Sequence, residues 1–72
     1  VTVEPKSDDE PVDMDTHSGQ EFDMVWQGRM ALTLGGKHFV LEPGDTIYFD
    51  ASQPHCMRAL DNRTLKFLAI IF

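Results

Sequence analysis

Seventy-two residues with twelve acids, six bases and a net charge of −6 are enough for one small domain and too few for a second core. Cys56 is the only cysteine, so an intrachain disulfide is excluded, and no apolar run approaches the ~20 residues of a membrane span. Chains below roughly 70–80 residues usually need a disulfide, a metal or a partner subunit besides their core, which leaves metal and self-association. The charge is uneven: residues 1–25 carry eight acids against Lys6, and residues 26–72 carry four acids against five bases. That sign repels phosphate backbones and makes these residues a poor nucleic-acid binder by themselves.

The N-terminus, Val1-Thr2-Val3-Glu4-Pro5, has neither a basic n-region nor an apolar signal core. It lacks an initiator methionine, which suggests a piece of a longer or processed protein. A lone cysteine fits a reducing, cytoplasmic compartment. Val1–Val3 and Val12–Met14 read as short strands around a solvated acidic loop that contains Asp8-Asp9-Glu10. Glu21–Trp26 is a strand with Phe22, Met24 and Trp26 on one face and Glu21, Asp23 and Val25 on the other. After a turn at Gln27-Gly28, Arg29–Leu34 and Lys37–Leu41 form a hairpin across Gly35-Gly36, a pair able to supply the positive φ angles of a primed turn. Glu42-Pro43-Gly44-Asp45 is a further turn, with Asp45 capping it. Thr46–Phe49 is a strand, residues 50–54 are a loop, and His55–Leu60 is a strand. Asp61-Asn62-Arg63 then turns the chain into Thr64–Phe72. Eight short strands at about nine residues each predict an all-β sandwich or barrel rather than an open sheet.

The last strand is apolar on both faces in its C-terminal half. One face can fill the barrel; the other needs a cover, expected to be a second copy of the chain or an additional domain. Trp26 is expected in the core or in that interface.

His17, Glu21 and His55 are the residues that could carry chemistry. Two imidazoles and a carboxylate can form a facial triad that leaves coordination positions open. His17 precedes a strand, Glu21 begins it and His55 begins another, so an antiparallel barrel can bring all three to one mouth. Spacing alone leaves open both a metal site and ordinary hydrogen-bonded histidines.

The stretch from Asp15 to Ala59 resembles the two motifs of the cupin family. The first motif reads His-x-His, three or four residues, Glu, six residues, Gly; here His17, Glu21 and Gly28 stand at those intervals. The second begins with Gly and has its metal-binding His eleven residues later, as Gly44 and His55 are, across Pro43-Gly44-Asp45-Thr46-Ile47-Tyr48-Phe49 and Pro54-His55. The resemblance implies a small antiparallel double-stranded β-helix, the cupin or jelly-roll barrel, spanning residues 1–72. It also implies a divalent metal such as zinc, iron, manganese or nickel at His17, Glu21 and His55. Asp15 stands where the family's first metal-binding His would be. The site could therefore have Asp15 as a fourth ligand, keep three ligands, or be an empty pocket. The second motif's usual Pro, Gly and Asn are replaced by Asp50, Ser52 and Ala59, which bears on loop shape more than on ligation.

Tyr48 and Met57 are candidates for lining a ligand pocket, and Arg58 for pairing with a carboxylate ligand. Cys56, on the opposite face from His55, reads as a small hydrophobe, and His38 as a surface or structural imidazole. Gly35-Gly36 lies in a hairpin without a following helix and is no phosphate loop.

Two functions follow. His17–Phe22, Leu41–Asp45 and Phe67–Ile71 are similar to the small cupins that follow a helix-turn-helix (XRE-type) domain in bacterial transcriptional regulators. That resemblance implies a homodimeric sensor that binds a small-molecule effector and reaches DNA only through an N-terminal helix-turn-helix outside this chain. The alternative is a metal-dependent enzyme of the dioxygenase, isomerase or epoxidase type, using the two histidines and one carboxylate.

Overall fold

The computed structural model describes residues 1–5 and 14–72, and its described residues form seven strands and no helix. They are β1 (Thr2–Val3), β2 (Gln20–Gln27), β3 (Met30–Leu34), β4 (Lys37–Leu41), β5 (Thr46–Asp50), β6 (His55–Ala59) and β7 (Leu65–Ile71). Two antiparallel sheets are present, one ordered β1-β7-β2-β5 and the other β4-β3-β6. The chain moves between them after β2, β4, β5 and β6, the path of a jelly-roll barrel. The expected all-β cupin-type fold is observed. Among the described residues no helix is long and apolar enough to cross a membrane.

Alternation along each strand fixes what lies between the sheets. Val25 on β2, Met30 and Leu32 on β3, Leu41 on β4, Phe49 on β5 and Leu65 and Phe67 on β7 turn inward, joined by Ala51 from the loop after β5. Burial of an aliphatic or phenyl side chain of this size contributes about 1.5–3 kcal/mol. Three polar side chains share that interior: Glu21, Asp23 and His55. Glu21 and Asp23 occupy the same inward row of β2 as Val25 and lie opposite Phe49 and Ile47 of β5.

The turns follow the sequence closely. Gly35 and Gly36 both have positive φ, at 57° and 100°, and connect β3 to β4 as a two-residue hairpin. At the next turn the Glu42 N–H donates to the Asp45 carboxylate at 2.8 Å, the expected cap. Asp61 and Asn62 also adopt positive φ, and Asp61 accepts two hydrogen bonds from the Arg29 guanidinium at 2.7 and 2.9 Å.

Two expectations change. Met14 lies outside any strand, and Val12 and Asp13, the rest of that expected strand, lie outside the described residues. In its place Asp15 makes an isolated antiparallel bridge to His55. Of the two places expected for Trp26 the core is excluded: the β2–β7 register shifts between Val25 and Gln27, so Trp26 is the extra residue of a bulge and is 54% exposed. Such a bulge bends the strand and re-aims its side chains.

Gly28, the glycine of the first motif, follows that bulge with φ +78°, and a Cβ there would stand 2.6 Å from the Thr64 carbonyl oxygen and 3.2 Å from Leu65 Cα. Both obstacles are backbone and cannot rotate away. At Gly36 (φ +100°) a Cβ would meet nothing within 4 Å, so only the left-handed backbone costs energy there, about 1–2 kcal/mol. Gly28→Ala is therefore expected to destabilise the domain by at least about 1 kcal/mol more than Gly36→Ala, as measured by urea unfolding of the two variants.

Candidate metal centre

The elements that carry His17, Glu21 and His55 bring them together from both sheets. Glu21 is the second residue of β2 and points inward, while His55 opens β6 on the opposing sheet. His17 precedes β2 in a segment pinned by its own backbone: the His17 N–H donates to the Ala51 carbonyl at 3.0 Å, and the Ala51 N–H donates to the Gly19 carbonyl at 3.1 Å. Asp15 and His55 exchange backbone hydrogen bonds of 2.8 and 3.0 Å, which draws the start of β6 against the segment that holds His17.

One ligand-capable atom from each of His17, Glu21 and His55 lies within 4.8 Å of the others. His17 Nε2 is 3.0 Å and His55 Nε2 3.8 Å from the same oxygen, Glu21 Oε1. His55 and Glu21 are almost fully buried, whereas His17 is about one-third exposed and forms the solvent side. The ring of His55 lies edge-on to both His17 and Phe49, with centroids 5.1 Å apart in each case, so its orientation is fixed by packing. Its Nδ1 stands 2.9 Å from the Gln53 carbonyl. That oxygen only accepts, so Nδ1 carries the hydrogen and Nε2 is the nitrogen turned toward Glu21, free to ligate in the neutral ring. A backbone acceptor on the far nitrogen is the usual way a ligating imidazole is oriented.

This arrangement calls for a cation. A buried carboxylate faces two imidazole Nε2 atoms, and a second carboxyl, Asp23, is fully buried two residues away. A proton on His17 Nε2 satisfies one oxygen of Glu21. A divalent ion accepting from both Nε2 atoms and Oε1 would satisfy the whole group. The donor set of two imidazole nitrogens and a carboxylate oxygen therefore fits a first-row divalent metal.

The centre forms one end of a cavity of about 490 Å³. Its walls are Val1, Val3, Met57, Phe67, Ala69 and Ile71, and its polar end is Asp15, Thr16, His17, Glu21 and His55, with Cys56 at the side. Met57 thus lines the pocket. Asp15 borders the cavity, but its carboxylate is outside the three-residue group; its main chain is what engages His55. Tyr48 does not line the pocket. Phe49 points inward, so its neighbour Tyr48 must point out, where it is 58% exposed and lies 5.8 Å from the Phe72 ring. Arg58 borders a separate shallow cleft with Val3, Glu4, Met57 and Ala59, and no ion pair joins it to a carboxylate among the described residues. His38 is exposed, with Nδ1 3.2 Å from the Thr33 hydroxyl, outside the centre.

Asp23 is the residue that sequence reasoning passed over. Both its oxygens are buried with no hydrogen-bond donor to satisfy them. Burial, and then the adjacent Glu21 as acceptor and as repelling charge, push its pKa from 3.8 up to about 8. As a carboxylic acid it can donate to Glu21; as a carboxylate it can only repel it. The signal was its alternation with Glu21 and Val25 on β2.

The match of a protein-family model covers residues 1–71 of the chain and is described as a cupin domain. No curated protein sequence matches the chain. Among solved structures, an iron(II) form of HppE with substrate superposes with a TM-score of 0.86 at 24% identity over 99% of this chain. Hydroxypropylphosphonic acid epoxidase from S. wedmorenis in complex with fosfomycin gives 0.86 at 23% identity over 99% of this chain. A predicted oxalate decarboxylase from Thermotoga maritima gives 0.75 at 24% identity, again over 99%. The chain spans 42%, 40% and 62% of those three chains, respectively.

The Asp23 geometry sets a pH dependence. Between about pH 4 and 8 folded Asp23 keeps a proton that the unfolded chain has released, so stability falls as pH rises through that window and levels off above it. Asp50 and Asp61, whose pKa values are lowered by the Ser52 N–H and by Arg29, act with opposite sign, but below the ordinary carboxylate range. Urea unfolding of the metal-free protein in chelator should show a loss on the order of a few kcal/mol from pH 5 to 8. Asp23→Asn, a neutral analogue of the acid, should flatten that slope.

Proposed function

From the premise that this chain belongs to the cupin domain family, we propose that it binds a divalent metal through His17, Glu21 and His55 and works as the metal-bearing domain of a cupin enzyme. The observation that carries the proposal is the convergence of two imidazole Nε2 atoms on one oxygen of a buried carboxylate. His55 is held in the ligating tautomer by the Gln53 carbonyl, Glu21 supplies the negative charge, and His17 closes the solvent side. When bound, the metal would supply Lewis acidity or redox chemistry at its open positions. The apolar walls exclude water from one side of those positions, and the polar rim admits a ligand. The similar structures are named for an epoxidase and a predicted oxalate decarboxylase, which supports an enzyme over the effector sensor of a transcriptional regulator. The sensor reading rests on the motif-like segments and on a helix-turn-helix outside these residues. Metal-dependent turnover would separate the two readings.

The partner is a second copy of the chain. On the outer face of the four-stranded sheet, Phe22 is flanked by Tyr48 and Ile70, and Met24 by Thr46 and Leu68. Phe72 and Trp26 extend the patch, both more than half exposed. Tyr48, Trp26 and Phe72, aromatics of roughly 200 Å² each, with the half-buried Phe22 and the aliphatic residues between them, leave on the order of 500–600 Å² of apolar surface on this one face. That is near the upper limit for a monomer and supplies most of the roughly 800 Å² that each partner contributes to a standard interface. One self-complementary patch suits a two-fold dimer.

Two outcomes are expected. Cobalt(II) titration should give visible absorption bands at one ion per chain, and Glu21→Gln or His55→Ala should weaken binding at least 10-fold with the fold intact by circular dichroism. Sedimentation at about 100 μM should give a dimer that Ile70→Lys converts to a monomer while metal binding is kept.

A further inference from the structure

The metal centre accounts for one end of the cavity and leaves the charge of its walls unexplained. The wall made by β1 and β7 is hydrocarbon: Val1, Val3, Phe67, Ala69 and Ile71. Besides the histidines, the acidic residues at the polar end are Asp15 and Glu21, and among the described residues no lysine or arginine lines the cavity; the Val1 ammonium, on the β1–β7 wall, donates to the Phe67 carbonyl at 2.8 Å. Arg58, the nearest in sequence to the site, faces the separate cleft beside Glu4.

The geometry points to a ligand with an apolar body and a single neutral or weakly charged oxygen-donor head, and away from dianions such as oxalate or an alkylphosphonate. This inference rests on the metal reading given above, because the head group would reach the open positions beside His17 and His55. A dianion would bring two charges next to Asp15 and Glu21, where no lysine or arginine among the described residues offsets them. Inside a partly desolvated cavity each unpaired charge is costly, and like charges at short range disfavour binding. An alkyl or aryl tail instead gains burial against Ala69, Phe67 and Ile71, worth about a factor of three to four in affinity per methylene fully buried.

The test uses the full chain loaded with cobalt(II) and three probes. Acetohydroxamic and hexanohydroxamic acids share a head and differ in tail, and oxalate is the dianion. Perturbation of the cobalt bands should show hexanohydroxamate binding at least 10-fold more tightly than acetohydroxamate. Asp15→Lys should tighten oxalate about 10-fold and hexanohydroxamate by a clearly smaller factor, because the hydroxamate head carries less charge. Equal affinity for the two hydroxamates, or oxalate affinity indifferent to Asp15→Lys, overturns the inference. If cobalt bands never appear in folded protein, the metal reading fails instead. The apolar wall is then read from the Ala69 and Ile71 methyl resonances of metal-free protein. Shifts that grow with tail length uphold it, and unmoved resonances remove it.

Discussion

Two carboxyl groups buried side by side on one strand are the constraint from which the rest of this structure follows. Alternation along β2 sends Glu21, Asp23 and Val25 to the same inward row, so the chain cannot bury Val25 without turning the acids inward too. A charge inside a domain of this size must be paired, neutralised or moved. Asp23 is neutralised, its pKa raised to about 8. Glu21 lies near the end of the barrel and is paired with imidazoles. His17 and His55 are both within 4 Å of Glu21 Oε1, and the backbone around them serves that approach, through the Asp15–His55 bridge and the His17–Ala51 hydrogen bond.

Much of this was legible in the sequence where local chemistry decides the outcome. Gly35-Gly36 and Pro43-Gly44-Asp45 make the turns their residue types require, because positive φ and side-chain capping are local properties. The intervals from His17 to Glu21 and from Gly44 to His55 pointed to this group through their resemblance to the cupin motifs, whereas spacing alone left ordinary hydrogen-bonded histidines open. Non-local effects were not legible. Asp15 looked like a ligand by position, yet it contributes a main-chain bridge, which side-chain identity does not encode. The choice between core and interface for Trp26 was decided by a bulge set by pairing with β7, and period-two counting cannot foresee an inserted residue. Tyr48 could have been assigned outward from its neighbour Phe49, once Phe49 was recognised as core. Asp23 was on the correct face but was not recognised as buried, since an acid at such a position is ordinarily exposed.

The interior is correspondingly divided. Eight apolar residues form the core, and three polar side chains, Glu21, Asp23 and His55, occupy the same layer. The outer face of the larger sheet holds apolar area that the chain does not bury by itself, including Tyr48, Ile70 and Phe72. In a small domain this division lowers stability twice over, through polar groups inside and apolar groups outside. Both deficits have the same kind of remedy, a binding partner that recognises only the folded state.

For the polar deficit the geometry makes that coupling direct. Glu21 belongs to the four-stranded sheet, His55 to the three-stranded sheet, and His17 to the segment that leads into β2. An ion held by all three would tie the two sheets together at the end of the barrel where the cavity opens, much as a disulfide would. Because the unfolded chain does not hold the three residues together, the free energy of binding the ion is largely free energy of folding. The feature that makes the apo domain costly to fold, a carboxylate aimed at two imidazole nitrogens, is then the feature that makes it selective for a cation. Stability and site are set by the same few atoms around Glu21.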